Sequence, residues 1–184
     1  IRDSVKMLNK KEKLDYKITF VETGLDTNTA GRILLASKYI PKEDKHFMVT
    51  YGDGVSTVDI DKLIEFHKDQ EKRHGVVGTI SAVHPASKYG RVTYDNDELV
   101  STFEEKKPIM DDYINGGYQI FNRDALKYLD MNEMLEEGLV KMTDERKLGV
   151  YRHAGYWKSM DTMKDFKELN EEWDRSRPWS LWEK

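Results

Sequence analysis

Five short stretches hold residues whose types and spacing could do chemistry. In residues 46–60, HFMVTYGDGVSTVDI, Asp53 stands between Gly52 and Gly54, directly after Tyr51. Asp-Gly is a common turn pair and a turn alone would account for it. The carboxyl end of a sheet strand is also where open α/β sheets hold a metal or a phosphate. Residues 23–32, TGLDTNTAGR, form a polar loop that runs into a helix with Arg32 in its first turn; a capped helix with an exposed arginine is the plain account. Residues 103–108, FEEKKP, place Glu105 and Lys106 at a strand end, where a solvated turn would look the same. Residues 114–117, INGG, suit either a hairpin turn or a place where backbone must approach a ligand closely. Residues 157–162, WKSMDT, end a strand on Asp161, which could cap the helix that follows.

Chemistry at these points needs a scaffold that gathers distant strand ends. Residues 16–22 alternate as a strand should, and residues 30–40 have helical spacing stopped by Pro41. A short apolar strand is expected at 47–51, with a helical pattern after the Tyr-Gly-Asp-Gly turn. Residues 59–73 are amphipathic, with Ile60, Leu63, Ile64 and His67 on one face and Asp59 as N-cap. Residues 76–83 read as a strand covered on both faces. Strands follow at 90–94, 99–103 and 113–121, then short helices at 123–129 and 134–144. Strands at 148–151 and 156–158 and a helix at 163–173 complete the pattern. Strand-helix alternation in the first half indicates an α/β domain with a largely parallel sheet.

The chain has 184 residues, enough for one domain with a sizeable core. Its net charge is −4 with acids and bases interleaved, which speaks against a nucleic-acid surface. No apolar run approaches the roughly 18 residues of a membrane helix, and the N-terminus lacks signal-peptide features. The chain contains 0 cysteines, which excludes disulfides and thiolate metal sites and makes a reducing, cytoplasmic setting the expectation. The histidines at 46, 67, 74, 84 and 153 show no metal-ligand spacing and are expected to be ordinary surface or core residues.

In order, the Thr-Gly…Thr-Ala-Gly-Arg loop, TYGDG, FEEK, INGG, W-x-x-MDT and the tail with Pro178, Trp179 and Trp182 resemble the sugar nucleotidyltransferases, and among these the cytidylyltransferases. The resemblance runs from about Tyr16 to the C-terminus. It implies a Rossmann-like mixed, largely parallel sheet with flanking helices and a small β-rich subdomain on the sugar side. It also implies transfer of a cytidylyl group from CTP to glucose 1-phosphate, giving CDP-glucose and pyrophosphate, with Mg²⁺ as cofactor. A homo-oligomer is implied as well, with no nucleic acid and no membrane as partner. Asp53 and Asp161 match the family's metal aspartates. Thr29, Gly31, Arg32, Tyr51 and Gly52 fall on the nucleotide side, where an arginine fork can donate to cytosine O2 and N3. Gly90, Glu105, Lys106, Asn115 and Gly116 fall on the sugar-phosphate side, with Lys106 also catalytic.

The family's glycine-rich loop, with its arginine and the lysine after it, has no counterpart in residues 1–184, so a single domain lacking an N-terminal strand-loop-helix portion is expected. Residues 136–139 and the second lysine of FEEKKP also depart from the family pattern, on the sugar side. Two alternatives stay open: CTP with a different phosphorylated acceptor, or a non-catalytic nucleotide-sugar-binding module.

Overall fold

The computed structural model describes residues 17–85, 89–104 and 112–181. The chain divides into two compact units, one from the segment up to Lys45 with Leu126–Lys141, the other from His46–Ala125 with the segment from Met142 onward.

In the first unit, residues 17–28 run as irregular chain into helix α1 (Thr29–Ser37). The strand expected at 16–22 is not found: residues 17–22 join no sheet. Alternation places side chains on two faces, but a strand also needs a ladder partner. Gly31 explains why α1 starts as it does. It is buried, and a Cβ on it would stand 2.5 Å from the Met131 carbonyl oxygen. That glycine belongs to packing.

The second unit is built on a sheet of β1 (His46–Thr50), β6 (Ile114–Asn122), β3 (Gly78–Val83) and β7 (Leu148–His153), in that spatial order. Strand β6 is antiparallel to both β1 and β3, whereas β7 is parallel to β3. Three of the four strands therefore point one way, with β6 reversed between them. The sheet is mixed, as expected. Helix α2 (Ile60–His74) lies on it, and Val58, Leu63 and Ile120 make a core cluster joined by Ile64, Tyr118 and Tyr151. Asp59 caps α2 by accepting from the Lys62 backbone N–H at 3.0 Å. Gly75 ends it at φ 65°, a conformation that suits a residue without Cβ.

Two small ribbons complete this unit. Strands β4 (Arg91–Tyr94) and β5 (Val100–Glu104) pair as the expected β-rich part. Strand β2 (Gly54–Ser56) pairs antiparallel with β8 (Trp157–Ser159) and lies between the Tyr-Gly-Asp-Gly turn and helix α2, a strand that the sequence pattern did not announce. Helix α3 (Leu135–Asp144), preceded by a 3₁₀ turn at Arg123–Tyr128, and helix α4 (Met163–Arg175) fall where sequence spacing places them. Among the described residues, no helix is long and apolar enough to cross a membrane.

Candidate active site

The β2–β8 ribbon brings Asp53 and Asp161 to neighbouring positions. Gly54 is opposite Ser159, and the ladder extends one step further where Met160 N–H donates to the Asp53 carbonyl at 2.8 Å. Asp161 is the next residue along. Both aspartates are exposed. Asp161 does not cap α4: Thr162 does, through a reciprocal pair of bonds with Asp165. Its Oδ2 instead accepts from the Ser159 hydroxyl at 2.9 Å.

The glycines beside Asp53 separate a turn from a site. A turn that needed glycine would place it at positive φ, yet neither Gly52 nor Gly54 has one. A Cβ at either position would also meet nothing within 4 Å. Neither backbone strain nor packing among the described residues asks for glycine here, so what these positions leave open is room for something outside the chain.

Residues 114–117 lie inside β6 and form no hairpin turn. The register with β3 shifts between Ile80 and Ala82, and Gly117 sits in that bulge at φ 78°. Asn115 Oδ1 accepts from the Gly117 N–H at 3.0 Å and holds the bulge. Gly116 is buried, with a Cβ there meeting Ser81 Oγ and Val83 Cγ1 at 2.8 Å. Bulges of this kind re-aim side chains near functional sites. The Trp157 indole donates to the Gly116 carbonyl at 2.8 Å, and the Tyr118 hydroxyl donates to the Gly54 carbonyl at 3.1 Å. Tyr51 N–H donates to the Gly117 carbonyl at 3.3 Å. Strand β6 thus ties Tyr51, the Asp53 loop and the Asp161 strand to Asn115 and Gly116. Trp157, Tyr118 and Ser159 do this tying; the sequence places them in strands but shows nothing of their partners.

Behind β8, Lys158 Nζ donates to Glu168 Oε2 at 2.9 Å and to Glu172 Oε1 at 3.0 Å on α4. Burial opposes charge on Lys158, but the two carboxylates outweigh it and raise its pKa. The Tyr156 hydroxyl donates to Glu172 Oε2, and burial together with that carboxylate pushes the phenol above its ordinary range. Trp179 of the tail stacks on Tyr156 with ring centroids 5.6 Å apart. These contacts fix the strand that carries Asp161.

In the other unit, Arg32 folds back on its own loop. Its Nη1 donates to Thr23 Oγ1 at 2.8 Å and its Nη2 to the Leu25 carbonyl at 3.0 Å, leaving three of the guanidinium's five N–H donors. Thr29 Oγ1 accepts from the Leu135 N–H at 2.7 Å, so this hydroxyl serves the loop's attachment. An open hollow of about 390 Å³ lies beside the loop, lined by Gly24–Asn28, Met131 and Asn132. Gly90 is exposed and lies against Phe103, whose ring a Cβ would meet at 2.5 Å. Glu105, Lys106 and Trp182 lie outside the described residues.

Comparison with known proteins shows the family to which this fold belongs. The "Nucleotidyl transferase" family matches residues 2–176. The "Probable glucose-1-phosphate cytidylyltransferase" of Bacillus subtilis strain 168 is 38% identical over 182 residues, 97% of this chain and 68% of its own length. The glucose-1-phosphate cytidylyltransferase of Salmonella typhi is 32% identical over 171 residues, 91% of this chain and 64% of its own. The chain therefore spans about two thirds of the length of these relatives. Mannose-1-phosphate guanyltransferase 2 of Candida glabrata also matches, at 32% over 85% of this chain and 45% of its own length. In fold, HddC from Yersinia pseudotuberculosis superposes with a TM-score of 0.62 at 22% identity, over 92% of this chain and 73% of HddC. With its motifs in order on this fold, the chain belongs to the nucleotidyl transferase family.

Proposed function

We propose that the protein transfers a cytidylyl group from CTP to glucose 1-phosphate, releasing pyrophosphate and CDP-glucose. The observation that carries the reading is the Asp53 loop: an exposed carboxylate beside a second one, flanked by glycines that no packing among the described residues requires. The choice of CTP and glucose 1-phosphate is supported by the names of the two cytidylyltransferase relatives.

In this reaction an oxygen of the sugar phosphate attacks the α-phosphorus of CTP, and the bond from that phosphorus to the bridging oxygen breaks. Pyrophosphate leaves with the electron pair. The protein's task is to hold two anions in line and to offset the charge that develops. Asp53 and Asp161 are hard oxygen donors, both exposed and on adjoining strand ends, which suits Mg²⁺. Held there, Mg²⁺ would neutralise phosphate charge. Gly52 and Gly54 let the nucleotide come close, and the bulge at Gly117 sets Asn115 and Gly116 for the sugar. Arg32 keeps three donors, enough to offer cytosine O2 and N3 two of them. Uracil presents an N–H at N3 and opposes one. Glu105 would accept from sugar hydroxyls, and Lys106 would hold the sugar phosphate.

A pyrophosphate-release screen of CTP, UTP, GTP and dTTP against a panel of sugar and non-sugar phosphates tests this. The expected result is turnover with CTP and glucose 1-phosphate above every other pair. Best turnover with GTP and mannose 1-phosphate, or with CTP and another acceptor, would replace the substrate assignment. No turnover with any pair would favour a binding module.

A further inference from the structure

The amino end of β1 and one face of α2 hold a second cluster. His67 and Glu71 stand four residues apart on α2, so their side chains leave the same face. His46, the first residue of β1, meets them. One ligand atom from each of the three side chains lies within 4.8 Å of the other two. His46 Nε2 is 2.9 Å from Glu71 Oε2, and the two imidazoles meet edge to face with centroids 5.2 Å apart.

The surroundings orient these groups. Asn122, paired opposite His46 in the sheet, donates its Nδ2–H to Glu71 Oε1 at 2.7 Å and leaves Oε2 for the cluster. Thr79 Oγ1 is 2.9 Å from His67 Nδ1. His67 is fully buried, yet its Nε2 has no hydrogen-bond partner among the described residues. With Nδ1–H donating to Thr79, Nε2 presents a lone pair. The other tautomer would bury an N–H that nothing accepts. Burial and the nearby His46 lower the pKa of the His67 imidazole to about 4. Burial works against the Glu71 carboxylate, but hydrogen bonds from Asn122 and His46 outweigh it and lower its pKa.

We infer that His46, His67 and Glu71 form a binding site for a divalent transition-metal ion of the zinc class. Two imidazoles and one carboxylate suit such an ion far better than Mg²⁺ or Ca²⁺. Contacts from Thr79 and Asn122 to the far sides of the ligands are what metal sites use to fix tautomer and orientation. The His46 and Glu71 side chains are 21% and 35% exposed, so the ion has a way in and water can complete its shell. Ligand atoms on tetrahedral zinc sit roughly 3.4 Å apart, which side-chain shifts of about 1 Å would achieve. The site lies at the opposite end of β1 from the Asp53 loop. Its work is to clamp α2 to the sheet edge.

The test strips the purified protein with a chelator, returns it to excess Mg²⁺, and titrates it with Zn²⁺ by calorimetry. A parallel titration follows the ligand-field absorption of Co²⁺. The expected result is one tight equivalent, a tetrahedral Co²⁺ spectrum, and a rise in Tm that chelator reverses. His46→Ala and Glu71→Gln should each weaken Zn²⁺ by about 10-fold or more; the glutamine can still accept from Asn122, so folding is spared. Wild type that takes up no Zn²⁺ beside Mg²⁺ overturns the assignment. So do variants that bind Zn²⁺ as tightly as wild type.

Discussion

The two ends of β1 differ in what their side chains have left to do. At the amino end, His46, Glu71, Asn122, Thr79 and His67 are bonded among themselves, and one buried nitrogen, His67 Nε2, has no partner among the described residues. Beyond the carboxyl end, Asp53 and Asp161 face solvent, and the glycines around Asp53 have no neighbour to avoid among the described residues. Gly31 shows the contrary case, a glycine held by a carbonyl 2.5 Å from where its Cβ would be. The lesson is about residual demand. Where packing and hydrogen bonding already account for a residue, it reports on the fold; where they do not, it reports on what the molecule binds.

The comparison can be broken by substitution at each end. Asp53→Asn and Asp161→Asn should leave Tm nearly unchanged while lowering kcat by about 10²- to 10⁴-fold, since each removes a metal carboxylate. Near-normal turnover for either variant at ordinary Mg²⁺ removes that residue from the site. His67→Ala should do the reverse. It opens a cavity in the core and should cost about 2–4 kcal/mol in denaturant unfolding, with kcat of the folded fraction unchanged.

The loop before α1 tests the same distinction at a smaller scale. If Arg32 only closes its loop through Thr23 and Leu25, Arg32→Ala should lower kcat/KM for CTP and UTP alike. If its remaining donors read the base, the loss should be about 10- to 100-fold greater for CTP, because uracil already opposes one donor. Steady-state kinetics with both nucleotides decide between the two.

The smallest effect concerns the support behind β8. Lys158 and Tyr156 both hold their protons more tightly folded than unfolded. Their contribution is therefore complete below the unfolded values, about pH 10, and is lost as pH rises beyond them. Tm measured from neutral to alkaline pH should fall above about pH 10, and Glu172→Gln should flatten that fall.

Much of this was legible in the sequence, for identifiable reasons. Helix α2 has its N-cap at Asp59, its stop at Gly75 and an apolar face between them, so local signals agree over its whole length. Asp53, Asp161 and Asn115 were legible as motifs. Strand β2 was not, because three half-buried residues have no period and exist only through their pairing with β8. The bulge at Gly117 was read as a choice between turn and site because its cause is the register with β3. The cluster at His67 was half visible: the spacing of His67 and Glu71 on one helix could have suggested ligands. His46 joins them only through the β1–β6 register, which no local pattern encodes.

The most direct test of the account replaces Gly52 and Gly54 one at a time with alanine and measures Tm and kcat/KM on the same preparations. Open space and ordinary φ predict a Tm within about 2 °C of wild type. A methyl group placed where the nucleotide must approach predicts kcat/KM for CTP lower by about 10- to 100-fold. Unchanged kcat/KM in both variants, or a loss of activity that merely follows a loss of Tm, would contradict the claim that this loop is shaped by what it receives.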